Sequence, residues 1–152
     1  MNNLQATVPF YKGNIVIIGN EEVITDIYYT SKAVKQINPN GEVLKAKQQL
    51  LEYVEKQRTK FDINVNISGT LFQREIYKAL KEIPYNQTVS YKQLAELAGY
   101  PKAARAVGQV MAKNRLLIVL PCHRVVASSG KLGGFTGGLD LKKFLLQHES
   151  GK

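Results

Sequence analysis

A chain of 152 residues with 44% hydrophobic content fills one ordinary domain or two small ones around a buried core, which excludes a disordered polymer. Lys and Arg number 21 against 12 Asp and Glu, a formal charge of +9, so a polyanion such as nucleic acid is a natural partner, although a merely basic protein fits the charge equally. One cysteine closes no internal disulfide and with His123 and His148 makes no structural zinc set, and no apolar run nears the roughly 20 residues of a membrane span, so a cytoplasmic protein without metal, cofactor or membrane partner is expected.

The first third reads as sheet. Ile15 to Ile18 lead into a Gly19-Asn20-Glu21-Glu22 turn, after which Val23, Thr25, Ile27 and Tyr29 alternate with Ile24, Asp26 and Tyr28 on the other face. Val43, Ala46, Leu50, Leu51 and Val54 then recur at helical spacing, and Phe61, Ile63, Val65 and Ile67 alternate like a strand with Asp62, Asn64 and Asn66. Residues 1–67 are therefore expected to form a small α/β domain, and residues 68–152 a second one.

Thr70 and Gln73 predict a capping box before a helix bearing Phe72, Ile76, Ala79, Leu80 and Ile83, which Pro84 ends. Ser90 and Gln93 repeat the box before a shorter helix with Leu94, Leu97 and Ala98 inward, and Gly99 is placed to stop it with a positive φ. The next helix turns Ala103, Ala106, Val107, Val110 and Met111 inward and Lys102, Arg105, Gln109 and Lys113 outward. Two short helices joined by a tight turn resemble a helix-turn-helix, with an ordinary helical hairpin as the alternative. Arg105 is surrounded by the compact Pro101, Ala104, Gly108 and Ala112. That shape suits a groove, while a lone exposed Arg also fits a solvated charge.

Leu116 to Leu120 read as a buried extended segment running into Pro121-Cys122-His123-Arg124-Val125-Val126. By pattern alone Cys122 is an inert core thiol. In an extended segment Cys122 and His123 would point to opposite sides, so proton transfer between them would need a bridging water. Toward the end of the chain, Leu141, Phe144, Leu145 and His148 share a stripe after a possible Asp140 cap. His148 is thereby expected in the core and Glu149 at a solvated helix end.

The PCHRVV hexapeptide is the signature of the O6-alkylguanine-DNA alkyltransferases, also called methylated-DNA–protein-cysteine methyltransferases, which this sequence resembles. The resemblance runs from about Gly69 to Glu149 through SYKQLAELAG, PKAARAVGQVMAKN, SSGKLGGFTGG and LLQHE, in family order and spacing. Residues 1–67 resemble the family only in length and in their sheet-helix pattern.

That resemblance implies a ribonuclease H-like α/β domain followed by a winged-helix-like DNA-binding domain, and a monomeric repair protein without cofactors acting on alkylated double-stranded DNA. Cys122 would accept the alkyl group irreversibly, once per molecule. His123 would take its proton through water, Glu149 would orient His123, Tyr91 would serve guanine N3, and Asn114 would buttress the active-site turn. Arg105 would fill the space left by a flipped nucleotide, with Ala104, Lys102, Gln109 and Lys113 on the DNA-binding face in the minor groove. Val125, Phe135, Thr136 and Gly137 would line the substrate pocket, the carbonyls of Cys122 and Val125 receiving the exocyclic amine. Thr136 stands where the family commonly carries serine. Acceptance of O4-alkylthymine and the range of alkyl groups stay open, as does a plain surface-loop role for Gly133 and Gly134. A non-catalytic alkyltransferase-like protein would lack Cys122, a papain-like hydrolase would need a different cysteine context, and a pure DNA-binding regulator would leave PCHRVV without a role.

Overall fold

Alternating side chains build the first sheet. In β1 (Leu4–Phe10) Leu4, Ala6, Val8 and Phe10 are buried, and β1 pairs antiparallel with β2 (Gly13–Gly19), which pairs antiparallel with β3 (Ile24–Thr30). The computed structural model describes residues 3–135 and 138–151. Its chain divides into two units, Met1–Asn66 with Arg115–Leu117, and Ile67–Asn114 with Ile118–Lys152.

Strict alternation fails in β3. Ile18 faces Asp26 while Gly19 faces Ile24, so Thr25 has no partner across the pair. This bulge brings Ile24 and Ile27 to the same buried face, where sequence alternation separates them. On α1 (Gly41–Val54), Val43, Ala46, Leu50 and Tyr53 form the buried stripe, and α1 packs on the sheet. Residues 61–67 alternate in burial without forming a named strand. A parallel bridge of Val65 to Ile24 holds this stretch, the Ile24 amide donating to the Asn64 carbonyl and the Asn66 amide to the Ile24 carbonyl at 2.8 Å each. Buried Gln49 also accepts from the Asp62 amide (2.9 Å) and donates to its carbonyl (3.2 Å), and Glu42 accepts from the Asn64 amide at 2.6 Å. Arg115–Leu117 join this unit through Ile27, whose amide donates to the Arg115 carbonyl at 2.7 Å and whose carbonyl accepts from the Leu117 amide at 3.0 Å.

In the second unit both capping boxes form. Thr70 opens α2 (Leu71–Lys81) and Ser90 opens α3 (Tyr91–Leu97), each exchanging hydrogen bonds with the glutamine three residues on. Gly99 stops α3 at φ +89°. The Tyr100 and Gly99 amides donate to the Ala95 and Glu96 carbonyls at 2.8 and 3.1 Å, a Schellman closure. Leu97, expected inward, is 64% exposed, because Leu94 and Ala95 are the α3 residues that face the core. α4 (Ala104–Ala112) buries Val107, Val110 and Met111.

The run Leu116–Leu120 is buried throughout but is not an extended segment: after Leu116 it turns, with Ile118 at φ 70°. A β-branched residue rarely adopts that conformation, and Ile118 does so while almost wholly buried. A 3₁₀ turn (Cys122–Arg124) follows and leads into β5 (Val125–Val126), which lies parallel to β4 (Val89–Ser90). α5 (Leu139–Ser150) starts from Gly138 at φ +94°, not from an Asp140 cap; Asp140 sits in the first turn. Among the described residues no helix is long and apolar enough to cross a membrane.

Candidate active site

The Cys122 sulfur is positioned by the 3₁₀ turn that carries it and by Asn114, two residues beyond α4. The Cys122 amide donates to the Leu120 carbonyl at 2.7 Å and the Arg124 amide to that of Pro121 at 2.9 Å, closing the turn. The Asn114 side-chain amide reaches across, donating to the Leu120 carbonyl (2.9 Å) and to Cys122 Sγ (3.1 Å). Cys122 and His123 thus sit on a tight turn, not on the extended segment expected from the apolar run. Burial pushes the thiol above its usual value, outweighing the Asn114 hydrogen bond and the Lys142 charge that favour the thiolate. The resting group is a thiol, so attack requires a base.

Glu149 on α5 is 5% exposed and sits at the centre of a buried cluster. Its Oε2 lies 2.6 Å from His123 Nε2 and accepts from Arg124 Nη2 at 2.9 Å; its Oε1 accepts from Arg124 Nε at 2.9 Å and from the Asn86 amide at 3.1 Å. Burial favours the neutral acid, but the hydrogen bonds and charges of His123 and Arg124 prevail, holding the carboxyl well below the usual carboxylate range. An ionised carboxylate only accepts, so the Nε2 facing it carries the proton. Burial also pulls the His123 imidazole below its ordinary 6.5, against the pull of Glu149, and the ring is neutral at pH 7. Its Nδ1 is consequently a bare acceptor, and among the described residues it is the buried side-chain nitrogen or oxygen atom that lacks a hydrogen-bond partner.

A second cluster flanks the thiol. Lys142, fully buried, donates to the carbonyls of Val125 (2.6 Å) and Gly134 (3.3 Å), and its ammonium lies 5.9 Å from the ring centroids of both Tyr91 and Phe135. Burial lowers its pKa to about 8, while the neighbouring Cys122 sulfur favours its charge. The Tyr91 phenol is raised by burial and by the Cys122 charge, with an opposing hydrogen bond from the Gly134 backbone. An amide donating to that oxygen leaves the phenolic proton free to be given elsewhere. Gly133 adopts φ +73°, and a Cβ there would come within 2.5 Å of the Tyr91 hydroxyl. Close approach and backbone conformation both call for glycine at this point, giving the loop a more specific role than a plain surface turn.

The family model for the 6-O-methylguanine DNA methyltransferase DNA-binding domain matches residues 71–151. A methylated-DNA–protein-cysteine methyltransferase of Mycolicibacterium paratuberculosis is 41% identical over 143 residues, covering 90% of this chain and 86% of the relative. The chain belongs to the methylated-DNA–protein-cysteine methyltransferase family. The crystal structure of Mycobacterium tuberculosis O6-methylguanine methyltransferase superposes with a TM-score of 0.87 at 34% identity, covering 99% of this chain and 94% of that one. The M. tuberculosis protein OGT in complex with DNA matches with a TM-score of 0.83 at 36% identity over 95% and 91% of the two chains. As a methylated-DNA–protein-cysteine methyltransferase, the chain has the α/β first unit and helical second unit of those structures, and its family's function is DNA repair by transfer to cysteine.

Within this methyltransferase frame, two hydrogen-bonded pairs, Asn114–Cys122 and His123–Glu149, meet at the adjacent residues Cys122 and His123, and Tyr91, Val125 and Phe135 surround Lys142. Lys102, Arg105, Gln109 and Lys113 are exposed along and beside α4, and Ala104 is half-buried. Thr136 and Gly137, expected in the pocket, lie outside the described residues. Glu149, not His148, occupies the buried stripe of α5: the inward positions are Leu141, Lys142, Leu145 and Glu149, and His148 is half-buried with its ring stacked near Phe144 at 6.3 Å. Sequence reading passes over Arg124 and Lys142, both buried cations of the site. Lys142 and Glu149 fall on the same helical face as Leu141 and Leu145, and charges on an apolar stripe are the signal that could have exposed them.

Proposed function

We propose that Cys122 accepts the alkyl group from O6-alkylguanine in duplex DNA, once per molecule. The observation that carries this reading is the Asn114 amide on Cys122 Sγ at 3.1 Å, next in the chain to a His123–Glu149 pair whose other ring nitrogen is an unprotonated acceptor. The thiol proton passes through a bridging water to Nδ1 of His123 as sulfur attacks the alkyl carbon. The S–C bond forms, the C–O6 bond breaks, and guanine takes a proton at N3 from Tyr91. The phenolate is re-protonated through solvent, so the net proton moves from thiol to guanine. The product is a thioether, which has no good leaving group, and release of the alkyl group would need a second nucleophile.

The damaged base reaches this pocket by flipping out of the duplex, with DNA bound along α4 and Arg105 entering the stack. A relative's capture in complex with DNA supports this use of the fold. The Val125 and Cys122 carbonyls each already accept one protein hydrogen bond, from Lys142 Nζ and from the Val125 amide. A carbonyl has two lone pairs, leaving each one for the exocyclic amine of guanine. Phe135, beside Lys142, lines the pocket, while Thr136 and Gly137, assigned to it by the family resemblance, lie outside the described residues. The protein acts as a cytoplasmic monomer, residues 1–67 forming one domain and 68–152 the other.

The decisive experiment incubates the protein with DNA carrying labelled O6-methylguanine and maps the label by mass spectrometry. One label per chain on Cys122 is expected. Label on another residue, or more than one group per chain, would sink the proposal.

A further inference from the structure

Arg124 has no part in the chemistry just described, yet its side chain is 6% exposed and fully engaged. Its Nε and Nη2 grip the two oxygens of Glu149 at 2.9 Å each, Nη1 donates to the Ile83 carbonyl at 2.7 Å, and the guanidinium lies 5.7 Å from the Tyr85 ring centroid. Arginine keeps its charge at any working pH, and the planar fork fixes a carboxylate in two dimensions as a lysine cannot. Nη2 and His123 Nε2 share the same oxygen, Oε2. A second proton on His123 would put two cations on one carboxylate.

We propose that Arg124 is a positioning residue for alkyl transfer: its fork holds Glu149 against Nε2 of His123 and places a permanent positive charge on the same anion, so that His123 relays the thiol proton without retaining it. The inference rests on the reading of Cys122 as acceptor. During attack the thiol proton reaches Nδ1 of His123 while the S–C bond forms and the C–O6 bond breaks. The competing guanidinium then favours release of that proton to solvent, from which Tyr91 recovers the one it gave to guanine. Without the guanidinium, the carboxylate would stabilise the protonated ring more strongly and oppose that release.

Among the described residues, the other titratable groups facing this cluster include Lys142 from α5, Cys122 on the same turn, Tyr85 ahead of β4, and Tyr77 on α2 and Tyr91 on α3, both coupled electrostatically to Cys122. Burial is the main cause that disfavours a charged His123 and the Lys142 charge acts in the same direction, so Arg124 adds to the effect rather than supplying all of it.

The test follows single-turnover methyl transfer and ¹⁵N imidazole signals against pH in the full-length protein and in Arg124→Gln and Arg124→Lys. His123 and His148 are the only histidines, so two imidazoles appear. In the unaltered protein His123 should titrate below the ~6.5 of a free imidazole. Arg124→Gln should raise both that midpoint and the acid limb of the rate profile by about one pH unit, the scale of a neighbouring charge. Arg124→Lys, retaining charge without the fork, should lower the rate several-fold at all pH values and leave both midpoints in place. A merely structural arginine would lower the rate in both variants and move neither midpoint, which would overturn the proposal, as would equal displacement in both. Should Arg124→Gln fail to fold, an imidazolium at pH 7 in the unaltered protein would overturn it alone. Label on Cys122 with unmoved midpoints defeats only the Arg124 role, whereas label elsewhere defeats the acceptor reading itself.

Discussion

Two regions of the second unit hold their charges in contrasting ways. Along α4, Lys102, Arg105 and Lys113 stand in solvent. Around Glu149, the side chains of His123, Arg124 and Lys142 are removed from it and bound at 2.6 to 3.3 Å to named partners. An exposed cation can be exchanged with little effect on the fold, so selection on it speaks of an external partner. A buried one must be paired or its desolvation is uncompensated, so each member constrains the rest. The first region should therefore fail in binding and the second in chemistry and stability together.

The sharpest break is Cys122→Ser. Transfer should vanish while binding to alkylated DNA persists, measured by gel shift on an O6-methylguanine duplex, because the α4 face is untouched. Glu149→Gln should lower the transfer rate by about 10²-fold, the scale of general-base assistance. Removing one partner of a buried ion pair should also cost about 3–5 kcal/mol in denaturant unfolding.

That variant also carries a pH signature. The folded Glu149 carboxyl is depressed, so its stabilisation is complete above the unfolded value of ~4.3 and lost as pH falls toward the folded one. The folded His123 value is depressed too. Below ~6.5 the unfolded chain therefore binds a proton that the folded chain refuses, and stability falls from there downward. In Glu149→Gln the lower of these two losses should disappear from the plot of unfolding free energy against pH.

On the other side, Arg105→Ala should slow transfer by about 10- to 100-fold, from the few kcal/mol needed to unstack a base, with an unchanged melting temperature. An unaltered rate would remove Arg105 from nucleotide flipping. The smallest effect belongs to neither region: Thr70→Ala should cost about 1 kcal/mol in thermal melts by opening the α2 cap, without changing the transfer rate per folded molecule.

The two regions also differ in how far residue order alone exposes them. Capping boxes at Thr70 and Ser90 and the Gly99 stop are local devices, and they were readable because all their partners lie within a few residues. The outward stripe of α4 was readable for the same reason. Extended backbone over 61–67 is also apparent, but its bridge to Ile24 and its ties to Gln49 and Glu42 involve residues distant in sequence. The bulge that turns Ile24 inward with Ile27 is likewise a property of the pairing with β2, beyond local pattern.

Local pattern alone treats Cys122 as inert and Glu149 as solvated, since it cannot see that Arg124, Asn86 and His123 converge on one carboxylate from separate parts of the chain. Family motifs identified the participants, but not the saturation of that carboxylate or the burial of Lys142. Such properties emerge only when distant segments are brought together.

The clearance at Gly133 bears on how this pocket can change over generations. A methyl group there would strike the Tyr91 hydroxyl at 2.5 Å, and the backbone at φ +73° resists any L side chain. Variants at this glycine should therefore be depleted from any lineage or laboratory pool that retains transfer, whatever the adduct selected for.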